Sequence, residues 1–290
     1  MINEAIKKLV ENENLTSEEA KQCMNEIMSG EISDTLISAY LIALRMKGET
    51  IDEILGSAQG MRENGKKLEH TIDLLEIVGT GGDRAGTFNV STTSAFVAAG
   101  AGCKVAKHGN RGVSSKSGAA DVLEALGADI TIEPEKAKEV LTESGFTFLF
   151  AQKYHPAMKY VGPVRGQLGV RTIFNVLGPL TNPASANKNV IGVYEEKLVD
   201  PIAKVLMNLG VNRGMVVFGQ DTMDEISASA KTTVCEIRDK KVVRYELDPG
   251  DYGFELCTKE DLLGGDAQEN AQITRDILEG TITGPKLMLY

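Results

Sequence analysis

The stretch that decides the fold is Lys104–Gly127, which reads "KVAKHGNRGVSSKSGAADVLEALG". Its first residues predict a short strand and its last residues predict a helix. Between them, residues 108–118 are rich in Gly, Ser, Asn, Lys and Arg. A strand, a loop and a helix in this order predict one βα unit of a parallel sheet. The small and basic residues raise the question of which ligand this loop binds.

The same order of elements recurs on both sides of this stretch. Upstream, "TIDLLEIVG" predicts a strand, "TGGDRAGTFN" a loop and "VSTTSAFVAAGAG" a helix of small residues. Downstream, the predicted strands are "ADITI", "FTFLFA", "NVIGVY" and "MVVFG", and the predicted helices are "EPEKAKEVLTESG" and "EEKLVDPIAKVLMNLG". Then "TTVCEIRDKKVVRYEL" alternates at period two around Asp239 and Lys240, which predicts an antiparallel hairpin, and "GDAQENAQITRDILEG" predicts a last helix. The fold class is therefore α/β, with a mostly parallel central sheet covered on both faces.

The first seventy residues predict a small all-helical domain. Thr16 with Glu19 and Thr50 with Glu53 have the spacing of capping boxes, and Ser33 is a further candidate cap. No strand pattern interrupts them. We therefore expect a helical domain at 1–70, with the Gly- and Pro-rich segment 162–185 packing on it as a hinge, and an α/β domain formed by 71–161 and 186–290.

Composition sets limits on the class of protein. The 290 residues are 42% hydrophobic and 25% charged, which is typical of a globular protein. The net charge of −10 argues against binding to nucleic acid or acidic membranes, so an anionic ligand would need a local positive site. The four cysteines lack a CxxC spacing and predict reduced, mostly buried thiols. No signal peptide or membrane span is evident, so we expect a cytoplasmic protein without membrane or nucleic-acid partners.

The first candidate loop is Gly79–Thr92, "GTGGDRAGTFNVST". Its glycines allow close approach of a ligand, and the helix after it offers free N–H groups that favour phosphate. Asn89, Ser91 and Thr92 add donors there. The alternative is an ordinary tight turn. The loop is not a P-loop, and the GxGxxG pattern fails because Arg84 stands at the third glycine position.

The second candidate loop lies within the opening stretch and gathers cations and donors. These are Lys107, His108, Asn110, Arg111, Ser114, Ser115 and Lys116. Ammonium, guanidinium and hydroxyl groups suit phosphate oxygens. The alternatives are a solvated basic loop and a histidine that simply packs in the core.

Two further segments carry candidate groups. In "GQDTMDEIS", the adjacent carboxylates of Asp224 and Glu225 follow a strand and suit a hard cation such as Mg²⁺, although a solvated acidic turn is the alternative. In "YHPAMKYVGPVRGQLGVRT", His155 and Arg165 stand out. Arg165 suits a substrate carboxylate, and a surface ion pair is its alternative.

With these segments taken together, the sequence resembles the anthranilate phosphoribosyltransferases. The motifs, which occur in the family's order, are "GTGGD", "TFNVST", "KHGNRGVSS", "HPAMK", "RTIFNVLGPLTNP" and the "DE" pair, with "IMSGEISD" and "IALRMKGET" in the N-terminal part. The resemblance extends from near the start to about Pro285. It implies a helical domain and an α/β domain of the nucleoside phosphorylase and phosphoribosyltransferase kind, with the active site at the hinge. It also implies a homodimer joined through the helical domain.

The resemblance assigns site residues by their matching positions. For phosphoribosyl diphosphate it implies Gly79, Gly82, Asp83, Thr87, Asn89, Val90, Ser91, Thr92, Lys107, His108, Gly109, Asn110, Arg111, Gly112, Val113, Ser114, Ser115 and Ala119. For anthranilate it implies Gly79, His108, Asn110, His155 and Arg165. Two Mg²⁺ ions would be held by Ser91, Asp224 and Glu225. Lys107, His108 and Asn110 are the residues expected nearest the chemistry.

The activity implied is transfer of the phosphoribosyl group to the amine of anthranilate, with release of diphosphate, as in tryptophan biosynthesis. The alternatives are a pyrimidine nucleoside phosphorylase-like enzyme and a non-catalytic relative that binds nucleotides or nucleic acid. Three departures from the family stand out. Ala119 replaces a common serine, so only its backbone would make contact. "DTMDE" replaces a glycine-containing turn. The ending "GPKLMLY" replaces a continuation in "RD" and further helices, from which we expect a truncated, less stable chain.

Overall fold

The N-terminal part of the computed structural model, which describes residues 1–112, 115–282 and 284, is a bundle of four helices. They are α1 (Ile2–Val10), α2 (Ser17–Ser29), α3 (Asp34–Lys47) and α4 (Ile51–Glu63). Both predicted capping boxes are present, at Thr16 with Glu19 and at Thr50 with Glu53. Ser33 accepts the Leu36 N–H at 3.4 Å, which confirms its capping role.

The other described residues form a seven-stranded sheet flanked by helices. The strands are β1 (Leu75–Gly79), β2 (Val105–Gly109), β3 (Phe146–Phe150), β4 (Lys188–Gly192), β5 (Arg213–Gly219), β6 (Thr232–Arg238) and β7 (Lys241–Leu247). The helices are α5 (Val90–Gly100), α6 (Ala119–Ala125), α7 (Pro134–Ser144), α8 (Ala151–Tyr154), α9 (Gly162–Leu168), α10 (Phe174–Leu180), α11 (Val199–Asn208) and α12 (Ala267–Leu278). Short 3₁₀ turns lie at Pro156–Tyr160, Glu196–Leu198, Pro249–Tyr252 and Glu260–Leu262.

The strand order is β3-β2-β1-β4-β5-β6-β7, and the first five strands run parallel. The pair β6–β7 is antiparallel, and its turn residues Asp239 and Lys240 have φ values of 52° and 58°. Two successive positive φ values suit a tight hairpin turn whose twist matches its strands. The mostly parallel sheet and the hairpin are therefore confirmed. The strand order reverses beside β1, and ligands of such sheets bind beyond the carboxyl ends of the strands at that point.

One predicted strand is wrong. The segment 128–132, "ADITI", forms a turn between α6 and α7. The carboxylate of Asp129 accepts the backbone N–H of Thr131 at 2.8 Å and its hydroxyl at 2.7 Å. Such local side-chain bonds compete with strand pairing. The alternation that suggested a strand reflects Ile130, which packs in a core cluster with Leu123 and Phe148.

The largest core cluster runs through both parts of the chain. It joins buried residues of α1–α4 to Phe174 and Leu177 of α10, and to residues of β4, β5 and α11. Segment 162–185 thus contacts the helical bundle through α9 and α10, and its role as a hinge stays a prediction. The exact domain boundaries stay a proposal. No helix in the described ranges is long and apolar enough to span a membrane.

The four cysteines are free thiols, as expected. Cys23 and Cys235 are buried, Cys257 is half-buried and Cys103 is exposed. Cys103, which lies after α5, is the one exposed exception to the expectation of mostly buried thiols. The ending "GPKLMLY", on which the expected truncation rests, lies outside the described residues apart from Gly284, so that expectation stays a prediction.

Candidate active site

The loop after β1 is built against the acidic pair that follows β5. A Cβ added to Gly79 would lie 2.4 Å from the Oδ2 atom of Asp224, so only glycine fits there. The N–H of Gly81 donates to the same oxygen at 2.6 Å. Gly81 and Gly82 have φ values of 69° and 78°, which favour glycine. The first candidate loop and the acidic turn, distant in sequence, therefore form one site.

The acidic pair is not a solvated turn. Asp224 is only 6% exposed. Burial and the negative charge of Asp83 raise the pKa of Asp224 to about 7. Burial and the charge of Asp224 also raise the pKa of Glu225, while Lys107 and the backbone N–H of Ser91 act in the opposite direction. Three carboxylates thus share this edge of the sheet, which is a disposition that a cation would stabilise.

Lys107 is the cation of this site and points inward from β2. It is 1% exposed. Its Nζ atom donates to the carbonyl of Ile77 at 2.6 Å and to the hydroxyl of Ser91 at 3.3 Å. Burial lowers the pKa of Lys107, and the negative charges of Glu76 and Glu225 oppose that shift. A solvated basic loop is therefore excluded for this residue.

The remainder of the second loop is held by α6. Asp121 accepts the N–H groups of Gly112 and Gly118, each at 2.8 Å. The guanidinium of Arg111 bonds to Asp121 at 3.0 Å and to Glu124 at 2.5 Å. The side chain of Arg111 is thus engaged by carboxylates, and the predicted phosphate contact stays a prediction. Val113 and Ser114, also predicted to contact phosphate, lie outside the described residues.

Asn89, just before α5, joins the two loops. Its side-chain amide donates to the carbonyl of Ser117 at 3.2 Å, and its oxygen accepts from the Ser117 hydroxyl and from Asn270 of α12. Thr92, in the first turn of α5, is fully buried, and its hydroxyl has no partner in the described part of the chain. The N-terminal end of α5 therefore faces the second loop, as the phosphate prediction requires.

The other predicted phosphate residues line the same edge. Gly82 and Asp83 are in the loop after β1, Thr87 pairs with Leu263, and Val90 begins α5. Gly109 ends β2, where a Cβ would lie 2.9 Å from Phe148 and 3.0 Å from Ala119. Ser115 donates to the Ser117 carbonyl at 3.1 Å, which keeps the loop compact. No contact tests their roles, which stay predictions.

His108 and His155 form a buried pair with ring centroids 5.1 Å apart. The Nδ1 atom of His108 lies 3.2 Å from the carbonyl of Gly178, and the Nε2 atom of His155 lies 3.0 Å from that of Thr181. Burial lowers the pKa of His108 to about 3 and that of His155 to about 4, so both rings are neutral at pH 7. The nitrogen facing a carbonyl must then carry the proton.

It follows that the second nitrogen of each ring is an acceptor. The Nε2 atom of His108 and the Nδ1 atom of His155 are buried and have no partner among the described residues. Arg62 of α4 bonds to the neighbouring carbonyl of Leu180 at 2.7 Å. The carboxyl end of α10 is thus held by side chains from the bundle, from β2 and from the segment after α8. Two imidazole lone pairs are left to receive a donor.

Arg165 lies in α9 and forms no ion pair with a described residue, so its alternative interpretation is wrong. It is half-buried, and its guanidinium lies 5.5 Å from the centroid of the Phe174 ring. Burial lowers its pKa. No described contact joins it to His108 or His155. Asn110 is exposed, and its oxygen accepts the N–H of Arg111 at 2.8 Å.

Sequence reasoning missed several side chains that organise this site. Arg171 donates to the carbonyl of Gly82 at 2.5 Å and stacks 4.0 Å from the centroid of Tyr194. Glu76, on β1, is fully buried behind His108. A lone carboxylate within the apolar run "LLEIVG" is a signal that would have identified Glu76. Arg171 offered no comparable signal.

The acidic edge suits a divalent cation only with additional donors. In the described ranges, no group of three or more His, Cys, Asp or Glu side chains is arranged to hold a metal ion alone. Mg²⁺ prefers oxygen ligands and usually keeps water or substrate phosphate oxygens in its shell. The chemistry of Asp224, Glu225 and the Ser91 hydroxyl fits such a shared site.

The two-part architecture is that of a family of glycosyl transferases. The family's helical bundle domain matches residues 3–65, and its α/β domain matches residues 71–288. Such a bundle on a mostly parallel sheet, with a cation and carboxylates at the carboxyl edge, defines the class of this chain.

Comparison with individual relatives identifies the family within this class. The chain is 61% identical to the anthranilate phosphoribosyltransferase of Lachnoclostridium phytofermentans, over 99% of this chain and 85% of that protein. It is 58% identical to that of Methanobrevibacter smithii, with the same coverage. The crystal structure of the Thermus thermophilus enzyme matches with a TM-score of 0.93 and 45% identity, over 98% of this chain and 85% of that one. The chain therefore belongs to the anthranilate phosphoribosyltransferase family.

Proposed function

We propose that this chain transfers the phosphoribosyl group of phosphoribosyl diphosphate to the amine of anthranilate and releases diphosphate. The observation that carries the proposal is the buried Lys107 ammonium. It lies beside Ser91 and within the field of Glu225, where two Gly-rich loops meet. A protein of net charge −10 needs such a local cation to hold a polyanionic substrate.

The donor substrate would lie across the two loops. The left-handed backbone at Gly81 and Gly82 would let its phosphates approach the loop closely, and the N-terminal end of α5 would supply further donors. Lys107, His108 and Asn110 would be nearest the reacting carbon. The remaining contacts are those that the resemblance implies, from Asp83 to Thr92 and from Gly109 to Ser115, with the backbone of Ala119.

Mg²⁺ is the proposed cofactor, and we propose two ions. A relative from Saccharomyces cerevisiae, 31% identical over 97% of this chain and 82% of that one, with a TM-score of 0.88, was solved with phosphoribosyl diphosphate and Mg. Ser91, Asp224 and Glu225 would hold the ions here. When bound, Mg²⁺ supplies positive charge for the departing diphosphate. The repulsion among the buried carboxylates of Asp83, Asp224 and Glu225 supports cation binding at this edge.

The acceptor substrate would lie between the histidine pair and α9. Anthranilate has an amine, which donates hydrogen bonds, and a carboxylate. The lone pairs of His108 and His155 suit the amine, and the guanidinium of Arg165 suits the carboxylate. Gly79 and Asn110 complete the proposed pocket. This arrangement would orient the amine towards the ribose of the donor.

The reaction breaks the bond between ribose C1 and the diphosphate oxygen and forms a bond from C1 to nitrogen. Negative charge grows on the departing diphosphate while C1 becomes oxocarbenium-like. Lys107 is placed to stabilise that negative charge, and preorganised charges of this kind are usually the largest contribution to catalysis. The amine is neutral at pH 7 and becomes acidic after attack, so a strong base is not required. We assign no residue as general base.

We further propose that the protein is a homodimer joined through the helical bundle, and that it works in the cytoplasm. An apolar face on α1 and α3 supports the dimer. It includes Val10, which is 65% exposed, and Met46, which is 81% exposed. Ala39, Ile42 and Ala43 lie between them. Burying such a face is typical of subunit contacts.

An assay of anthranilate fluorescence tests the function. The full chain is mixed with phosphoribosyl diphosphate, Mg²⁺ and anthranilate, and parallel reactions contain uridine or thymidine with phosphate. We expect fluorescence loss only when all three components of the first mixture are present. Release of free pyrimidine base would favour the nucleoside phosphorylase alternative. Nucleotide binding without turnover in either mixture would favour a non-catalytic relative.

A further inference from the structure

The neighbouring strands β1 and β2 share few backbone hydrogen bonds near the site. β1 and β2 share one ladder pair, Leu75 with Val105, whereas β1–β4, β2–β3 and β4–β5 each share five. Backbone groups beyond that pair need other partners, because buried N–H and C=O groups are almost always bonded. Lys107 and His108 lie on β2 beyond that pair, at the opening between the two strands.

Two charged side chains bridge the opening in opposite directions. From β1, the carboxylate of Glu76 accepts the backbone N–H of His108 at 2.9 and 3.2 Å. From β2, the ammonium of Lys107 donates to the carbonyl of Ile77 at 2.6 Å. Each strand thus supplies the partner that the missing ladder would have given the other. Both side chains are at most 1% exposed.

Glu76 also reaches a third segment. The side-chain amide of Asn182, just after α10, donates to the Glu76 carboxylate and, at 2.8 Å, to the carbonyl of Ala106. Its own oxygen accepts the N–H of Ala184 at 2.8 Å. The carbonyls that hold His108 and His155 lie in the same stretch, at Gly178 and Thr181. One buried carboxylate therefore links β1, β2 and the segment that fixes the histidine pair.

We propose that Glu76 is a positioning residue of the active site: its buried carboxylate holds β2 apart from β1, so that Lys107 faces the diphosphate and His108 faces the acceptor. Burial raises the pKa of Glu76, while the Lys107 charge, the His108 N–H and the Asn182 amide favour its charged form. Removing one partner of a buried charged pair leaves the other uncompensated. Replacing Glu76 should therefore disturb the position of Lys107 more than it lowers the stability of the fold.

Kinetics of Glu76→Gln test the proposal, which rests on the proposed function for its readout. The amide keeps the shape but places a donor opposite either the His108 N–H or the Asn182 amide. We expect kcat/KM for phosphoribosyl diphosphate to fall about tenfold or more, with kcat lowered as well as KM raised, because Lys107 would stabilise the charge that grows on the diphosphate in the transition state. Glu76→Asp, which keeps the charge on a shorter chain, should fall between the wild type and Glu76→Gln. Glu143→Gln, on the exposed face of α7, is the matched control.

Rates are normalised to the folded fraction, measured by circular dichroism at the assay temperature. A kcat/KM for Glu76→Gln within about twofold of the wild type, or a loss accounted for wholly by unfolding, would overturn the proposal. If Glu76→Gln does not fold, Glu76→Asp decides by the same criterion. A wild-type chain without turnover would instead refute the proposed function, so the two failures are distinguishable.

Discussion

The imidazole rings of His108 and His155 lie 5.1 Å apart, and each is held by a backbone carbonyl at the carboxyl end of α10. The carbonyls fix the tautomers, so that Nε2 of His108 and Nδ1 of His155 are free acceptors. The last carbonyls of a helix lack their usual N–H partner four residues on. The Gly178 carbonyl accepts the backbone N–H of Thr181 at 3.2 Å as well as the His108 ring nitrogen. These two buried acceptors are the observation on which the proposed contact with the anthranilate amine rests.

His155→Gln should make the free energy of unfolding less sensitive to a fall in pH. Burial lowers the pKa of His155 from its usual 6.5 to about 4. Between these two pH values the imidazole is protonated in the unfolded chain and neutral in the folded chain. The contribution of His155 to the free energy of unfolding is fully present above pH 6.5. It is lost as the pH falls towards 4, which lowers the free energy of unfolding by about 3 kcal/mol. Urea unfolding between pH 4 and 8 measures it. Parallel stability curves for wild type and variant would contradict the shifted pKa.

Arg165→Ala should weaken anthranilate far more than phosphoribosyl diphosphate. A charged hydrogen bond to a carboxylate contributes about 1.5–3 kcal/mol, which corresponds to a rise in KM of roughly 10- to 150-fold. Arg165→Lys, which keeps the charge without the planar fork, should lie between. Steady-state kinetics with each substrate varied in turn provide the measurement. An equal rise in KM for both substrates would mean that Arg165 only supports the packing of α9 on Phe174.

Gly192→Ala should displace the acidic loop. A Cβ at Gly192, the last residue of β4, would lie 1.5 Å from the backbone carbonyl oxygen of Asp224, so the loop must move. Overpacking of this kind costs about 3 kcal/mol in the free energy of unfolding. Gly100→Ala, at the end of α5 with nothing within 4 Å, is the control. Urea unfolding compares them, and equal stability of the two variants would refute the close approach.

Met46→Glu should dissociate the proposed dimer. It places a charge on the exposed apolar face of α1 and α3, and burying an unpaired charge opposes association. Leu256→Glu, which alters an apolar residue 58% exposed in the α/β part, should leave the mass unchanged. Light scattering after gel filtration gives the molar mass. A wild-type monomer, or a dimer that survives Met46→Glu, would contradict the proposed interface.

Periodicity and capping predicted the helical bundle and most βα units, because those signals are local. The strand predicted for "ADITI" was wrong, because the carboxylate of Asp129 closes a local turn that strand propensity does not describe. The loops were identifiable from glycines and charges. Their convergence was not, because the approach of Gly79 to Asp224 joins residues far apart in sequence. The partners of Arg111 and Glu76 likewise depend on tertiary packing.

The most direct test of the account is the turnover of Asp224→Asn combined with Glu225→Gln. Anthranilate consumed and diphosphate released are measured together, at limiting Mg²⁺, for wild type and double variant. We expect one diphosphate per anthranilate from the wild type, and a rate roughly a hundredfold or more lower from a folded double variant, since the proposed Mg²⁺ ligands are gone. Normal turnover by the double variant would contradict the assignment of the acidic pair and with it the proposed site.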